Sequence, residues 1–311
     1  MPTKSAADPL ARHEGGAGDE PLRPRMRSRW ARAWPLVAPS VVLVSLVFLV
    51  PILIVVWVSL HRMDYFEIGS FAGLGQYTEL FRDSTFWQQL TITLVYVFGS
   101  LVVSVVAGFA IALLLQGTGR FRAFFRAALL LPWALSQATV AIAWVWMLNP
   151  AYGPVSFLLQ KLGFPQSLLL GSPTLALPLL VAVTAWWATP YAMVLFDAAL
   201  QSLPAELYEA AAVDGARDRD AFFHLTVPLM KPTIAAASSF LAILFFAIVT
   251  LPLVLTGGGP LNKTETLSLN LFTESIIGGQ NVGRGAAVAI VILLTNVLFG
   301  VVMLRYGRDR T

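Results

Sequence analysis

No cysteine occurs among the 311 residues, which excludes disulfides, a thiol nucleophile and thiolate sites for zinc or iron–sulfur clusters. Histidine is scarce: His13, His61 and His224 are the whole set. With no H-E-x-x-H or G-x-S-x-G run, neither a metallohydrolase nor a serine hydrolase has a sequence basis. A G-x-x-x-x-G-K-[ST] phosphate loop is missing as well, and the run Gly257 to Pro260 lacks the lysine and helix start that would make it one. The most telling shortage is charge. Only 12% of residues are charged and 57% are hydrophobic, with a mean hydropathy of +0.72, whereas a soluble domain carries about 25% charged residues. The chain reads as an integral membrane protein.

A charged residue at the centre of a membrane helix costs about 2.5 to 3.5 kcal/mol, so charge-free stretches locate the spans. Trimmed at proline, glycine and polar punctuation, they predict six helices near residues 36–60, 89–115, 127–148, 175–201, 233–255 and 285–304, each long enough for the roughly 20 residues a crossing needs. The expected fold is all-α and polytopic. Pro39, Pro51, Pro132, Pro178, Pro190 and Pro252 fall in or near these spans and predict kinks, which neighbouring helices can accommodate.

Basic residues set the expected orientation. Seven lie before the first span, three between spans two and three (Arg120, Arg122, Arg126), three between spans four and five (Arg217, Arg219, Lys231) and three at the end (Arg305, Arg308, Arg310); five lie in the alternate loops. The positive-inside rule therefore places both termini in the cytoplasm. It also assigns the net charge of +4 to membrane topology and leaves no basic face for nucleic acid. Residues 1–35 are too polar to fold alone and read as a cytoplasmic tail, disordered over 1–24. The stretch Arg25 to Trp34 fits either a short interfacial helix or an unstructured flank. Residues 305–311 form the other cytoplasmic tail. The first apolar stretch is too long for a signal-peptide core and is expected to remain as a span.

Residues 202–232 stand out because they are helix-forming yet lie on the charged side. Pro204 followed by Ala205 to Ala212 reads as a helix with proline in its first turn, and Asp214-Gly215 as the turn that ends it. A second short helix is predicted over about residues 216–224, before Pro228 and Pro232 lead into span five. Two short helices at an angle would make a compact knob able to push on a soluble partner; on spacing alone, a connector lying among lipid headgroups reads equally.

This loop resembles the EAA loop of permease subunits of binding-protein-dependent ABC importers. The resemblance rests on Glu209-Ala210-Ala211, three residues, Gly215, nine residues, then Leu225-Thr226-Val227-Pro228, with Leu225 and Val227 replacing the usual Ile and Leu. The flanks, Leu200 to Pro204, Thr256 to Pro260, Thr264 to Leu267 and Gly73 to Tyr77, are similar to the carbohydrate-uptake class, although permeases for polyols or glycerophosphodiesters would look the same. The resemblance covers about residues 36–305. It implies a permease subunit in a prokaryotic plasma membrane that moves its solute by alternating access. Its partners would be an ABC ATPase dimer, a second homologous permease and an extracytoplasmic solute-binding protein. ATP and magnesium would be bound by the ATPase and no cofactor by this chain, which is a transport subunit and not an enzyme. The loop would dock in a cleft of the ATPase. Glu206, Glu209, Ala210 and Val213 share one side of the helix, Ala211 and Asp214 adjoin them, Gly215 supplies the turn and Pro228 closes the motif.

Sugar recognition calls for aromatic faces and uncharged hydrogen-bonding groups. Span three offers Trp133, Ser136, Gln137, Thr139, Trp144 and Trp146, and span four Trp186, Trp187, Thr189 and Tyr191. Gln137, Trp144, Trp186, Trp187 and Tyr191 are the candidate substrate contacts; membrane-interface belts and bundle packing place the same residue types. Asp197 is the one charged residue inside a predicted span. Hydration or pairing with a nearby arginine explains it, and so does a gate or proton-linked role. The rival function is a self-contained secondary transporter or channel, for which Asp197 alone makes a poor coupling site.

Overall fold

The computed structural model describes residues 26–65, 67–117, 119–163 and 169–308; the expected disordered segment at 1–24 lies outside them. The chain divides into two units, one ending at Ile52 and one beginning at Leu53. Helix α1 (Met26–Ser59) is continuous through Pro35, Pro39 and Pro51, so residues 26–34, the described part of the stretch expected as an interfacial helix or flank, are the start of the long helix itself.

Among its described residues the second unit is all-α apart from one hairpin, β1 (His61–Asp64) and β2 (Glu67–Phe71), paired antiparallel with Met63 opposite Ile68. A hairpin was not expected; Asp64 Oδ1 accepts the Asn281 backbone N–H at 2.8 Å, which ties it to the chain entering the last helix. Then follow α2 (Gly75–Arg82), α3 (Ser84–Gln116), α4 (Arg122–Ala134), α5 (Gln137–Met147), α6 (Pro154–Lys161) and α7 (Ala176–Gln201). The rest comprises α8 (Ala205–Val213), α9 (Asp218–Ala221), α10 (Val227–Ala247), α11 (Thr250–Leu255), α12 (Leu267–Asn270) and α13 (Val282–Arg308). Among the described residues five helices are long and apolar enough to cross a membrane, and six if a bent pair counts as one span.

Three expectations are corrected. The helix predicted over 127–148 is broken: α4 and α5 meet at 93°. Leu135 and Ser136 are extended there, and the Ser136 side chain accepts the Thr139 N–H as an N-cap, which starts a new helix after Pro132. The helix predicted over 233–255 stops at Ala247 and resumes at Thr250. The helix predicted over 216–224 is not separate: α9 runs through a wide turn, Phe222–Thr226, straight into α10, with the Val227 N–H bonded to the Phe222 carbonyl five residues back. Pro228, which has no N–H, sits just beyond that wide turn, and such π-turns absorb an irregularity in the ladder without ending the helix.

The core is a sandwich of α3, α7 and α10. Helices α3 and α7 pack closely because α3 presents a stripe of small buried residues, Ser100, Ser104, Gly108 and Ala112, one every four positions. A Cβ on Gly108 would lie 2.7 Å from the Ala192 Cβ and 2.9 Å from the Met193 backbone nitrogen, so only glycine fits. Large side chains, among them Phe196, Leu241, Phe245 and Phe246, fill the remaining space and are buried. A smaller apolar cluster of Leu80, Phe86, Leu267, Ala287 and Val288 joins α2, α3, α12 and α13 at the hairpin end.

Candidate functional site

Helix α8 is a short, well-bounded element. Pro204 enters it in extended conformation. At its end Gly215 takes φ +82°, and the Ala216 N–H reaches back to the Ala211 carbonyl at 2.9 Å and the Gly215 N–H to Ala212 at 3.1 Å. This left-handed cap satisfies carbonyls that the last turn would otherwise expose. Tyr208 holds the helix against the π-turn, with its hydroxyl 3.0 Å from the Thr226 Oγ1.

The side turned away from that anchor is open. Glu206, Glu209, Ala210, Val213, Asp214 and Gly215 are exposed, and Val213 is 88% exposed. Ala211 is half-buried, and Pro228 is half-buried in the first turn of α10. The structure therefore brings seven of the eight singled-out loop residues together on α8 and its cap and sets Pro228 apart. The result is a small helix with two carboxylates and a smooth alanine–valine surface. Its position is fixed by two chain turns and one hydrogen bond.

The aromatic candidates gather in two places. At the α4–α5 break, Trp133 stacks on Trp187 with ring centroids 4.6 Å apart, Trp133 lies 5.3 Å from Tyr191, and Tyr191 stacks on Phe240 at 4.4 Å. Trp187 is buried and donates its indole N–H to the Leu135 carbonyl at 3.2 Å, which occupies its polar atom with the chain itself. Trp144 and Trp186 form a second, edge-to-face pair at 5.5 Å, with Trp186 exposed. Gln137 is half-buried in the first turn of α5, one residue beyond the Ser136 cap. Phe240, which completes the stack from α10, is not among the residues singled out in the sequence; nothing local distinguishes it from the other phenylalanines.

Asp197 is wholly buried near the end of α7 and is paired. Arg122 and Gln116 donate to its Oδ1, the latter at 3.2 Å, while Gln201 donates to Oδ2 at 3.2 Å and the Arg126 guanidinium lies 3.5 Å from Oδ2. Both carboxylate oxygens are thus satisfied by cations and amides, which is the condition for holding a charge out of water. Of the two sequence explanations, arginine pairing is the one the geometry presents. Arg122 and Arg126 stand four residues apart on one face of α4, a spacing that was visible in the sequence.

What fold and site define is a multi-pass helical membrane protein with a fixed, exposed helix on one end of its bundle. The profile of the family described as binding-protein-dependent transport system inner membrane component matches residues 104–309, and the chain belongs to that family. It is 32% identical over 294 residues to the trehalose/maltose transport system permease protein MalF of Thermococcus litoralis, covering 94% of this chain and 99% of that one. It is 33% identical over 299 residues to the sn-glycerol-3-phosphate transport system permease protein UgpA of Salmonella choleraesuis, covering 93% and 98%. Among solved structures, a chain of a bacterial alginate ABC transporter, crystallised with its alginate pentasaccharide-bound periplasmic protein, superposes with a TM-score of 0.75 at 21% identity. The match covers 91% of this chain and 97% of that one; at such identity the likeness is one of fold.

Proposed function

We propose that the chain is a six-span permease subunit of an ATP-driven importer for a sugar or sugar-like solute, with α4 and α5 together forming one span. Residues 1–35 and 305–311 are then cytoplasmic tails around a permease domain of residues 36–304. The loop of residues 202–232 faces the cytoplasm between spans four and five, in a prokaryotic plasma membrane. The carrying observation is the exposed face of α8, anchored by Tyr208 and Thr226 and bearing Glu206, Glu209, Ala210 and Val213. Such a face suits a cleft in an ATPase, where small side chains allow close approach and carboxylates meet basic partners. ATP and magnesium are held by that ATPase dimer, while a second homologous permease and an extracytoplasmic solute-binding protein complete the assembly.

In this mechanism, closure of the ATPase dimer displaces α8 and turns the bundle from inward- to outward-facing. The solute must bind one state better than the other, or no net transport results. Gln137, Trp144, Trp186 and Tyr191, with the buried Trp187 behind them, are the groups proposed to meet it, since aromatic faces suit C–H surfaces and an amide suits hydroxyls. The assignment to sugars draws support from the names of the relatives.

Gentle purification of the tagged chain from its native membrane tests this reading, with identification of the accompanying chains and an assay of vanadate-sensitive ATP hydrolysis. The expected result is an ATPase and a second permease that copurify and are lost when Glu209 and Gly215 are changed together. A chain that purifies alone, lacks ATPase activity and supports uptake sensitive to the proton gradient would be a secondary transporter instead.

A further inference from the structure

We propose that Asp197 is a positioning residue for transport: with Arg122 and Arg126 it fastens α4 alongside α7 as a splint across Pro190, so that displacement of α8 reaches the α4–α5 break undiminished. This inference rests on the importer reading above.

Helix α7 leads directly into the knob, with Asp197 eight positions before Ala205, where α8 starts. It is also flawed as a lever, because Pro190 lies inside it. A proline in a helix interior deletes one backbone hydrogen bond and makes that turn the natural place to bend. The chain brackets this weak point. On one side of Pro190, Trp187 donates to the Leu135 carbonyl at 3.2 Å and stacks on Trp133. On the other side, Asp197 takes Arg122 and Arg126. Helix α4 is therefore tied to α7 at both of its ends, and the ties lie ten residues apart along α7, roughly 15 Å at 1.5 Å per residue.

The polar tie has a property that an apolar contact lacks. Buried ion pairs add little net stability compared with apolar packing, but directional bonds fix register and rotation. Here both oxygens of a carboxylate that is 0% exposed are engaged, by groups from three elements: Gln116 at the end of α3, the two arginines of α4 and Gln201 in the last turn of α7. Sliding of α4 along α7 would break both arginine contacts at once, while Gln116 from α3 and Gln201 within α7 hold the carboxylate itself in place. Beyond the 93° break, α5 packs mainly on α11 instead. The α4–α7 body and the α5–α11 body are thus joined in the chain at Leu135 and Ser136 and touch again at the Trp144–Trp186 pair, and motion of the first would be delivered through these two places.

The test uses the full chain reconstituted in proteoliposomes with the second permease, the ATPase and the binding protein, and measures uptake and ATP hydrolysis together. Wild type without ATP-dependent uptake would overturn the importer reading itself, separately from this inference. With wild type active, Asp197→Asn is expected to assemble and hydrolyse ATP while solute moved per ATP falls about tenfold. The combined Arg122→Gln/Arg126→Gln variant should do the same, and adding Asp197→Asn to it should cost nothing further. The decisive variant is Asp197→Asn/Pro190→Ala: restoring the backbone bond in α7 removes the need for a splint, so transport per ATP should recover. Unchanged coupling in Asp197→Asn, or no recovery with Pro190→Ala, overturns the proposal. Should Asp197→Asn not assemble, Arg126→Gln, which removes a 38% exposed partner, and its Pro190→Ala double carry the same two outcomes.

Discussion

The indole N–H of Trp187 on α7 donates to the carbonyl of Leu135, the residue at which the α4 helix gives way to extended chain. The carbonyls of a helix end have no intrahelical partner, and in a membrane no water replaces them. Trp187 supplies one donor and, by stacking on Trp133, covers the break. Trp187→Phe keeps the stacked ring and removes the donor. It should cost about 1 kcal/mol, read as a lower midpoint of thermal unfolding in detergent; Trp187→Ala should cost several times more. An unchanged midpoint in Trp187→Phe would show that the hydrogen bond contributes nothing beyond the ring, and equal losses from the two substitutions that the ring contributes nothing beyond the hydrogen bond.

Gly215 makes its contribution through backbone conformation alone. Its φ is +82°, and a Cβ built on it meets nothing within 4 Å, so substitution brings strain without a clash. A left-handed conformation costs an ordinary L-residue about 1 to 2 kcal/mol, less for asparagine. Transport per ATP in the reconstituted importer should therefore fall in the order Gly, Asn, Ala, Val, with Gly215→Val largely uncoupled. An order that follows side-chain volume and ignores backbone tolerance would contradict this account, and unchanged transport in Gly215→Val would remove the loop from the mechanism.

The sequence reveals the apolar helices because a charge within a span is costly, and the span positions near α1, α3, α7 and α13 are legible to within a few residues at most ends. The bend between α4 and α5 is less so. Pro132 announces a kink, but the 93° turn falls after Leu135 and depends on Trp187, which is 52 positions distant. Likewise the turn at Asp214-Gly215 follows from local residue preference, while the merging of α9 into α10 depends on a wide turn that no local pattern declares. For the site, α8 and its exposed face follow from helical spacing. Pairing of Asp197 with arginine was legible, and Gln201 is a local partner four residues on in α7, but which groups of α3 and α4 reach the carboxylate was not, since only tertiary packing brings them there.

Packing of α3 on α7 makes a pair of opposed predictions. Gly108→Ala places a methyl 2.7 Å from the Ala192 Cβ and 2.9 Å from a backbone nitrogen, so the helices must part, at about 1 to 3 kcal/mol. Ala192→Gly in the same chain should relieve part of this and leave the contact with Met193. Two turns away in the same stripe, Ser100 is wholly buried, and its hydroxyl has no hydrogen-bond partner among the described residues. Ser100→Ala removes an unsatisfied polar group and should leave stability unchanged or raise it by about 1 kcal/mol. Both are read from unfolding midpoints, and a destabilised Ser100→Ala would mean that the hydroxyl is bonded after all.

The pairing of Asp83 with Arg284 predicts an acid-dependent contribution at the opposite end of the bundle from α8. Asp83 caps α3, accepting the Thr85 N–H at 2.8 Å, and Arg284 from α13 donates to its other oxygen. The Arg284 hydrogen bond, followed by that from the Thr85 backbone, holds the carboxyl below its usual range against a smaller opposing effect of burial. A carboxyl depressed in the folded state stabilises it above the unfolded value, about 3.9, and loses that contribution as the pH falls through the folded value. Asp83→Asn isolates the charge, since asparagine caps helices as well as aspartate does. The difference in unfolding midpoint between wild type and Asp83→Asn should be constant from about pH 5 to 8 and shrink below about pH 4. Parallel curves down to about pH 2 would show that the ion pair contributes no stability, as many exposed pairs do not.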